Sequence, residues 1–261
     1  MNTFKQRVTY VLLAVVVLGL GLHTSEQESN GWYFCDQPAV AQELNTESVV
    51  ASGDFAPVQL ILQNPALPNG CEVTSLAMAL TAAGYPADHV TLYETVLPRQ
   101  ALVTVAGKRY GESPDRYYIG DAAQAPGGWY CFEQPIIEAG NTWISENGGG
   151  AAMASLSDMD RETLIDYAKA GVPVVAWVTL EYDTPNYLLD SAWILPDGTE
   201  YTPYSNLHCV VVAGFENGFF RIADPLSGWQ FVKKDVFWQS FDAMGQRAVV
   251  VEPDGAEEVT A

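Results

Sequence analysis

Four side chains in this sequence could together carry out acyl transfer through sulfur. Cys71 follows the turn residues Pro68-Asn69-Gly70 and opens a run in which Val73, Leu76, Ala77, Leu80 and Ala83 keep helical spacing until Gly84 and Pro86. A thiol in the first turn of a helix meets unpaired N–H groups and a partial positive charge, which favour the reactive thiolate. The bland alternative is a small packed residue, since free cysteines are among the most buried side chains. Of the three histidines, His23 lies at the N-terminal apolar segment and His89 in a polar helix turn, which leaves His208 as the candidate base. Asp224 is the candidate partner that would fix the imidazole ring and its tautomer. Gln63, eight residues before Cys71, could place its amide on the oxygen of a bound acyl group, together with the Cys71 backbone N–H. Such a donor is worth about 3 kcal/mol. Gln59 is the alternative for that place.

These residues are useful only if the elements around them bring them together. Val58 to Gln63 alternates as a strand would, leading into the turn before Cys71. The spacing predicts helices from Ala87 to Leu97, at Gln134–Ala139, from Met159 to Ala170 with Ser157 or Asp158 as cap, and from Lys234 to Phe241. Residues 99–150 are rich in Gly, Pro and aromatics and read as a long loop shaping a cleft wall. Val172 to Leu180 reads as a buried strand, and Pro196-Asp197-Gly198 as the turn of a hairpin or excursion. Leu207 to Phe215, the turn Glu216-Asn217-Gly218, and Phe219 to Asp224 form a hairpin pattern. Simple register sets Val212 about opposite Phe220 to Arg221 and His208 near the level of Asp224, within reach across an antiparallel pair. Trp229 to Val232 and Arg247 to Glu252 complete the strands. Helices first and antiparallel strands afterwards make an α+β fold.

The pattern Gln63, Pro68-Asn69-Gly70-Cys71-Glu72-Val73-Thr74-Ser75-Leu76, Leu207-His208-Cys209-Val210-Val211-Val212-Ala213-Gly214 and Ile222-Ala223-Asp224-Pro225 resembles the papain-like cysteine peptidases. More narrowly, it is similar to the stand-alone, exported relatives of the peptidases that remove double-glycine leaders from bacteriocins. The resemblance covers about residues 55–252. It implies a papain-like fold, with the nucleophile helix of an N-terminal helical part packed on a C-terminal antiparallel sheet. It also implies Cys71 as nucleophile, His208 as base, Asp224 as its orienting partner and Gln63 as oxyanion donor, acting on a peptide or protein substrate. No transporter membrane domain or ATP-binding motif accompanies these residues, so processing coupled to export is not implied.

Composition narrows the setting. Among 261 residues, 12 Lys+Arg stand against 32 Asp+Glu, a net charge of −20, which repels nucleic acid and gives no general attraction to anionic lipid. Lys5 and Arg7 precede an apolar run from Val8 to Leu22, so residues 1–25 read as a signal peptide or an N-terminal membrane anchor. Residues 26–54 then form a linker, 55–252 the peptidase domain and 253–261 an acidic tail. Positive-inside logic puts the chain beyond the apolar run outside the membrane, which it touches only through that segment. With Cys71 set apart, Cys35, Cys131 and Cys209 remain, and a Cys35–Cys131 bridge with Cys209 buried is conceivable. No Cys-x-x-Cys or His-x-x-x-His spacing suggests zinc, and the chemistry calls for no metal or organic cofactor. Two rival readings stand beside the peptidase: a cell-wall amidase or transpeptidase on the same scaffold, and a non-catalytic surface binding module recognising ligands through residues 99–150.

Overall fold

The computed structural model describes residues 55–157 and 159–253. The expected signal peptide or anchor, the linker, Cys35, and the tail from residue 254 onward lie outside the described residues. Among the described residues no helix is long and apolar enough to cross a membrane.

In chain order the elements are α1 (Cys71–Ala82), α2 (His89–Thr95), β1 (Arg99–Gln100), β2 (Val103–Val105), β3 (Lys108–Tyr110), β4 (Tyr118–Ile119), α3 (Glu133–Glu146), β5 (Ala151–Ser155), α4 (Arg161–Lys169), β6 (Val174–Thr179), β7 (Trp193–Ile194), β8 (Glu200–Tyr201), β9 (Leu207–Glu216), β10 (Phe219–Asp224), β11 (Gly228–Lys233), α5 (Lys234–Ala243) and β12 (Ala248–Pro253). The main sheet runs β11-β10-β9-β6-β12-β5 and every neighbouring pair is antiparallel. This is the expected α+β architecture.

Side-chain alternation splits the sheet into two apolar faces. Val175, Trp177, Cys209, Val211, Val249 and Val251 pack with α1 and α3, whereas Val174, Ala176, Val178, Val210, Val212 and Val250 pack with α4 and α5. α1 is buried at ten of its twelve positions. Its interior polar groups are therefore satisfied from within the protein. The Thr74 hydroxyl donates to the Gly70 carbonyl at 2.7 Å, and the Ser75 hydroxyl to the Cys209 carbonyl of β9 at 3.2 Å.

Several local expectations needed correction. Residues 58–63 form no strand, because their backbone meets single partners rather than a ladder: Gln63 N–H donates to the Pro225 carbonyl at 2.8 Å and Ile61 N–H to Met78 Sδ at 3.3 Å. α3 runs well beyond Ala139. Gly140 resembles a breaker in sequence, but a Cβ there would come within 2.6 Å of Met153 Cγ, so helix and strand touch through that missing carbon. α4 starts later than expected and is capped by Asp160, which accepts the Thr163 N–H at 2.9 Å. In the β9–β10 hairpin, Asn217 and Gly218 both have positive φ, so the turn has two residues and Glu216 pairs with Phe219. A bulge at Ala213 then brings Val212 opposite Ile222 rather than Phe220 or Arg221. The bulged carbonyl accepts the Ala56 N–H at 3.0 Å.

Much of the 99–150 segment braces the turn before Cys71. Asn69 N–H donates to the Ala122 carbonyl at 3.1 Å, and the Tyr118 hydroxyl to the Asn69 carbonyl at 2.7 Å. Gly128 closes this brace: a Cβ on it would lie 2.5 Å from the Tyr118 hydroxyl and 2.9 Å from Asn69 Cβ. Gly128→Ala should therefore destabilise the protein by about 2 kcal/mol, lowering the melting temperature by roughly 4–8 °C. Thermal denaturation checks this; an unchanged melting temperature would mean that the brace yields freely.

Candidate active site

Cys71 is the first residue of α1, and its N-cap, Gly70, offers no side chain to the first N–H groups of the helix. The Cys71 side chain is nevertheless enclosed, with the residue 8% exposed. Burial pushes the thiol well above its ordinary range, and the neighbouring Glu72 charge and hydrogen bond push it further. The helix start alone would favour the thiolate, but here desolvation and a carboxylate outweigh it. The backbone N–H of Cys209 acts in the opposite sense on the same sulfur. The nucleophile candidate thus lies beside the residue that follows His208.

His208 is the second residue of β9 and Asp224 the last of β10. His208 Nε2 and Asp224 Oδ1 are 2.9 Å apart, and both side chains are buried. The contact is diagonal. Continuing the register past the bulge sets Asp224 opposite Val210, two residues from His208, a gap that the length of an imidazole spans. Asp224 also accepts from the backbone N–H groups of Leu226 and Ser227, from the Ser227 hydroxyl and from Gln230 Nε2. Burial alone would raise this carboxyl; the His208 charge and bond, with the other donors, reverse that and hold it well below the usual range. Since Nε2 faces Asp224, Nδ1 is the ring nitrogen left for the sulfur.

Gln63 is buried, whereas Gln59 is exposed. Gln63 Nε2 donates to the Pro68 carbonyl at 2.6 Å, and its Oε1 is buried without a partner. Its backbone N–H bond to Pro225 ties the segment to the end of β10 beside Asp224. The structure therefore joins His208 to Asp224 and fastens Gln63 to the same strand end. It does not hydrogen-bond Cys71 to His208. Instead the Cys71 S–H donates to Glu72 Oε2 at 3.3 Å.

Glu72 is the functional candidate for which the sequence offers no motif. It is fully buried, and its Oε1 accepts the Cys131 N–H at 2.9 Å. The Cys131 carbonyl in turn accepts from Trp177 Nε1 at 2.9 Å, which fixes that peptide against the sheet. The only signal in the sequence was a charge directly after the cysteine inside an otherwise uncharged run. Among the described residues Cys131 and Cys209 are free thiols in the core, and Cys209 is buried as expected; Cys35, the other half of the conceivable bridge, lies outside the described residues.

The Peptidase_C39 like family model matches residues 55–249. The uncharacterised protein YvpB of Bacillus subtilis (strain 168) is 28% identical over 263 residues, covering 97% of this chain and 100% of that protein. A Bacillus anthracis crystal structure assigned to the C39-like peptidases superposes with a TM-score of 0.65 at 26% identity, over 75% of this chain and 94% of the other. The match runs through the helix of Cys71 and both strands of the His208–Asp224 pair, and the chain belongs to the Peptidase_C39 like family, with its papain-like cysteine peptidase fold.

Proposed function

We propose that this chain is an exported cysteine peptidase that hydrolyses peptide bonds. The observation that carries the reading is the buried His208–Asp224 pair, set at the strand end beside the helix that begins with Cys71. In this reading the sulfur turns from Glu72 to His208 Nδ1, which takes its proton. Catalytic hydrogen bonds are often long or misaligned before substrate is bound and tighten in the complex. The sulfur attacks the scissile carbonyl, and the Cys71 N–H with Gln63 Nε2 receives the oxyanion. His208 then protonates the leaving amine, and water releases the acyl group from sulfur. Export rests on Lys5 and Arg7 ahead of the apolar run Val8 to Leu22.

The test is a peptide library incubated with the protein, with new amino termini read by mass spectrometry. Cleavage is expected, and Gln63→Ala should lower turnover about 10²–10³-fold. No new termini, or transfer of the acyl group to amines in preference to water, would replace hydrolysis by binding or transpeptidation.

A further inference from the structure

Glu72 touches the reacting atom, and no step of the hydrolysis just described uses it. A carboxyl group is costly to bury, and this one is enclosed completely. Its two oxygens are divided: Oε1 is held by the Cys131 N–H, while Oε2 accepts the Cys71 S–H at 3.3 Å. The arrangement fixes a titratable group against the nucleophile, where it acts on the thiol in the opposite sense to the Cys209 N–H.

We propose that Glu72 gates the nucleophile: as a carboxylate it takes the S–H bond and holds Cys71 as the thiol, and as a carboxylic acid it donates its proton in a hydrogen bond to the thiolate. The proposal rests on the peptidase reading above. The active arrangement carries two protons, one on the His208 imidazolium and one on Glu72. The thiol proton passes to His208 Nδ1, and the carboxyl keeps its own. Loss of the carboxyl proton puts a second anion against the sulfur, and the thiol is favoured again.

The groups facing Glu72 set where this happens. They are Cys71 on α1, Tyr118 on β4, Cys131 ahead of α3, and His208 and Cys209 on β9. The thiols and the phenol are all pushed up by burial first. Burial pushes the Glu72 carboxyl up to about 7, against the opposing pull of the Glu72 and Cys131 backbone N–H groups, the Cys71 bond and the His208 charge. The sign follows. The acid form, and with it the reactive sulfur, is present below neutrality and is lost as pH rises through that value.

The experiment is alkylation of Cys71 in the full chain by iodoacetamide between pH 4.5 and 9, quantified on the Cys71 peptide. The wild-type rate should fall about tenfold per pH unit on the alkaline side of neutrality, opposite to an ordinary thiol. Glu72→Gln keeps an acceptor for Cys131 and a donor for sulfur but cannot ionise. The falling limb should disappear in this variant, making it about 100-fold faster than wild type at the alkaline end, about two pH units above neutrality. A wild-type rate that climbs steadily with pH, or a folded Glu72→Gln protein with an unmoved limb, overturns the gate. If Glu72→Gln does not fold, the infrared carbonyl band of a buried protonated carboxyl decides in the wild type. It should vanish along the limb, and its absence at low pH overturns the gate. His208→Ala separates the two readings. If it leaves the alkylation rate unchanged, the Cys–His reading fails; if it alters the rate while Glu72→Gln leaves the limb in place, the gate alone fails.

Discussion

Cys71→Ala and His208→Ala should each lower kcat/KM for peptide hydrolysis by on the order of 10⁴-fold or more, and the double variant should lose little beyond either single one. The second half of this expectation is the sharper. If sulfur and imidazole act as one unit, removing either removes the attack, and the other has nothing left to assist. Two groups contributing separately would give losses that multiply. The measurement is steady-state kinetics on a peptide cleaved by the wild type, with circular dichroism confirming that both variants fold. Cys71 makes up part of the core beside Leu76 and Cys209, and alanine removes only one buried sulfur, so the fold should persist. Multiplying losses would show that the buried pair His208–Asp224 serves something other than Cys71.

Asp224→Asn should reduce turnover by about 10²–10⁴-fold and stability by about 2–4 kcal/mol at pH 7. The carboxylate is the shared acceptor of His208, two backbone N–H groups, a hydroxyl and a side-chain amide. An asparagine places a donor among these donors and removes the charge that faces the imidazole. The stability loss must depend on pH. The carboxyl is held below its ordinary range in the folded protein, so its contribution is fully present above that range and declines as pH falls below it towards the folded value. Wild type and Asp224→Asn should therefore converge in denaturant unfolding between about pH 4 and pH 2, because the unfolded carboxyl titrates near 3.9. A gap that stays constant down to pH 2 would place the cost in packing rather than in charge.

How far the sequence disclosed this arrangement depends on how local each cause was. The helix at Cys71 was legible because turn residues precede it and Gly84 and Pro86 follow it. The pairing of His208 with Asp224 was legible from two strands joined by a short turn, although the bulge at Ala213 shifted the register and made the contact diagonal. The second half of α3 was not legible, because the place of Gly140 within it rests on the approach of Met153, a contact between elements. Residues 58–63 alternate like a strand, yet whether a strand forms depends on a neighbouring ladder, and none is offered there. Glu72 was silent for the same reason. Its role is created by the Cys131 peptide, which the chain supplies 59 residues later.

The single bond from the Gln63 N–H to the Pro225 carbonyl has a mechanical consequence. The arm bearing the amide is moored to the terminus of the strand that carries the aspartate, one residue beyond it, and to the sulfur's helix through the turn at Pro68. A substrate that levers this arm outward strains both moorings in the same movement. If Gln63 receives the oxyanion as proposed, oxygen binding and ring alignment should consequently loosen or tighten as a pair, and a small displacement of the segment leading to Gln63 should disturb both.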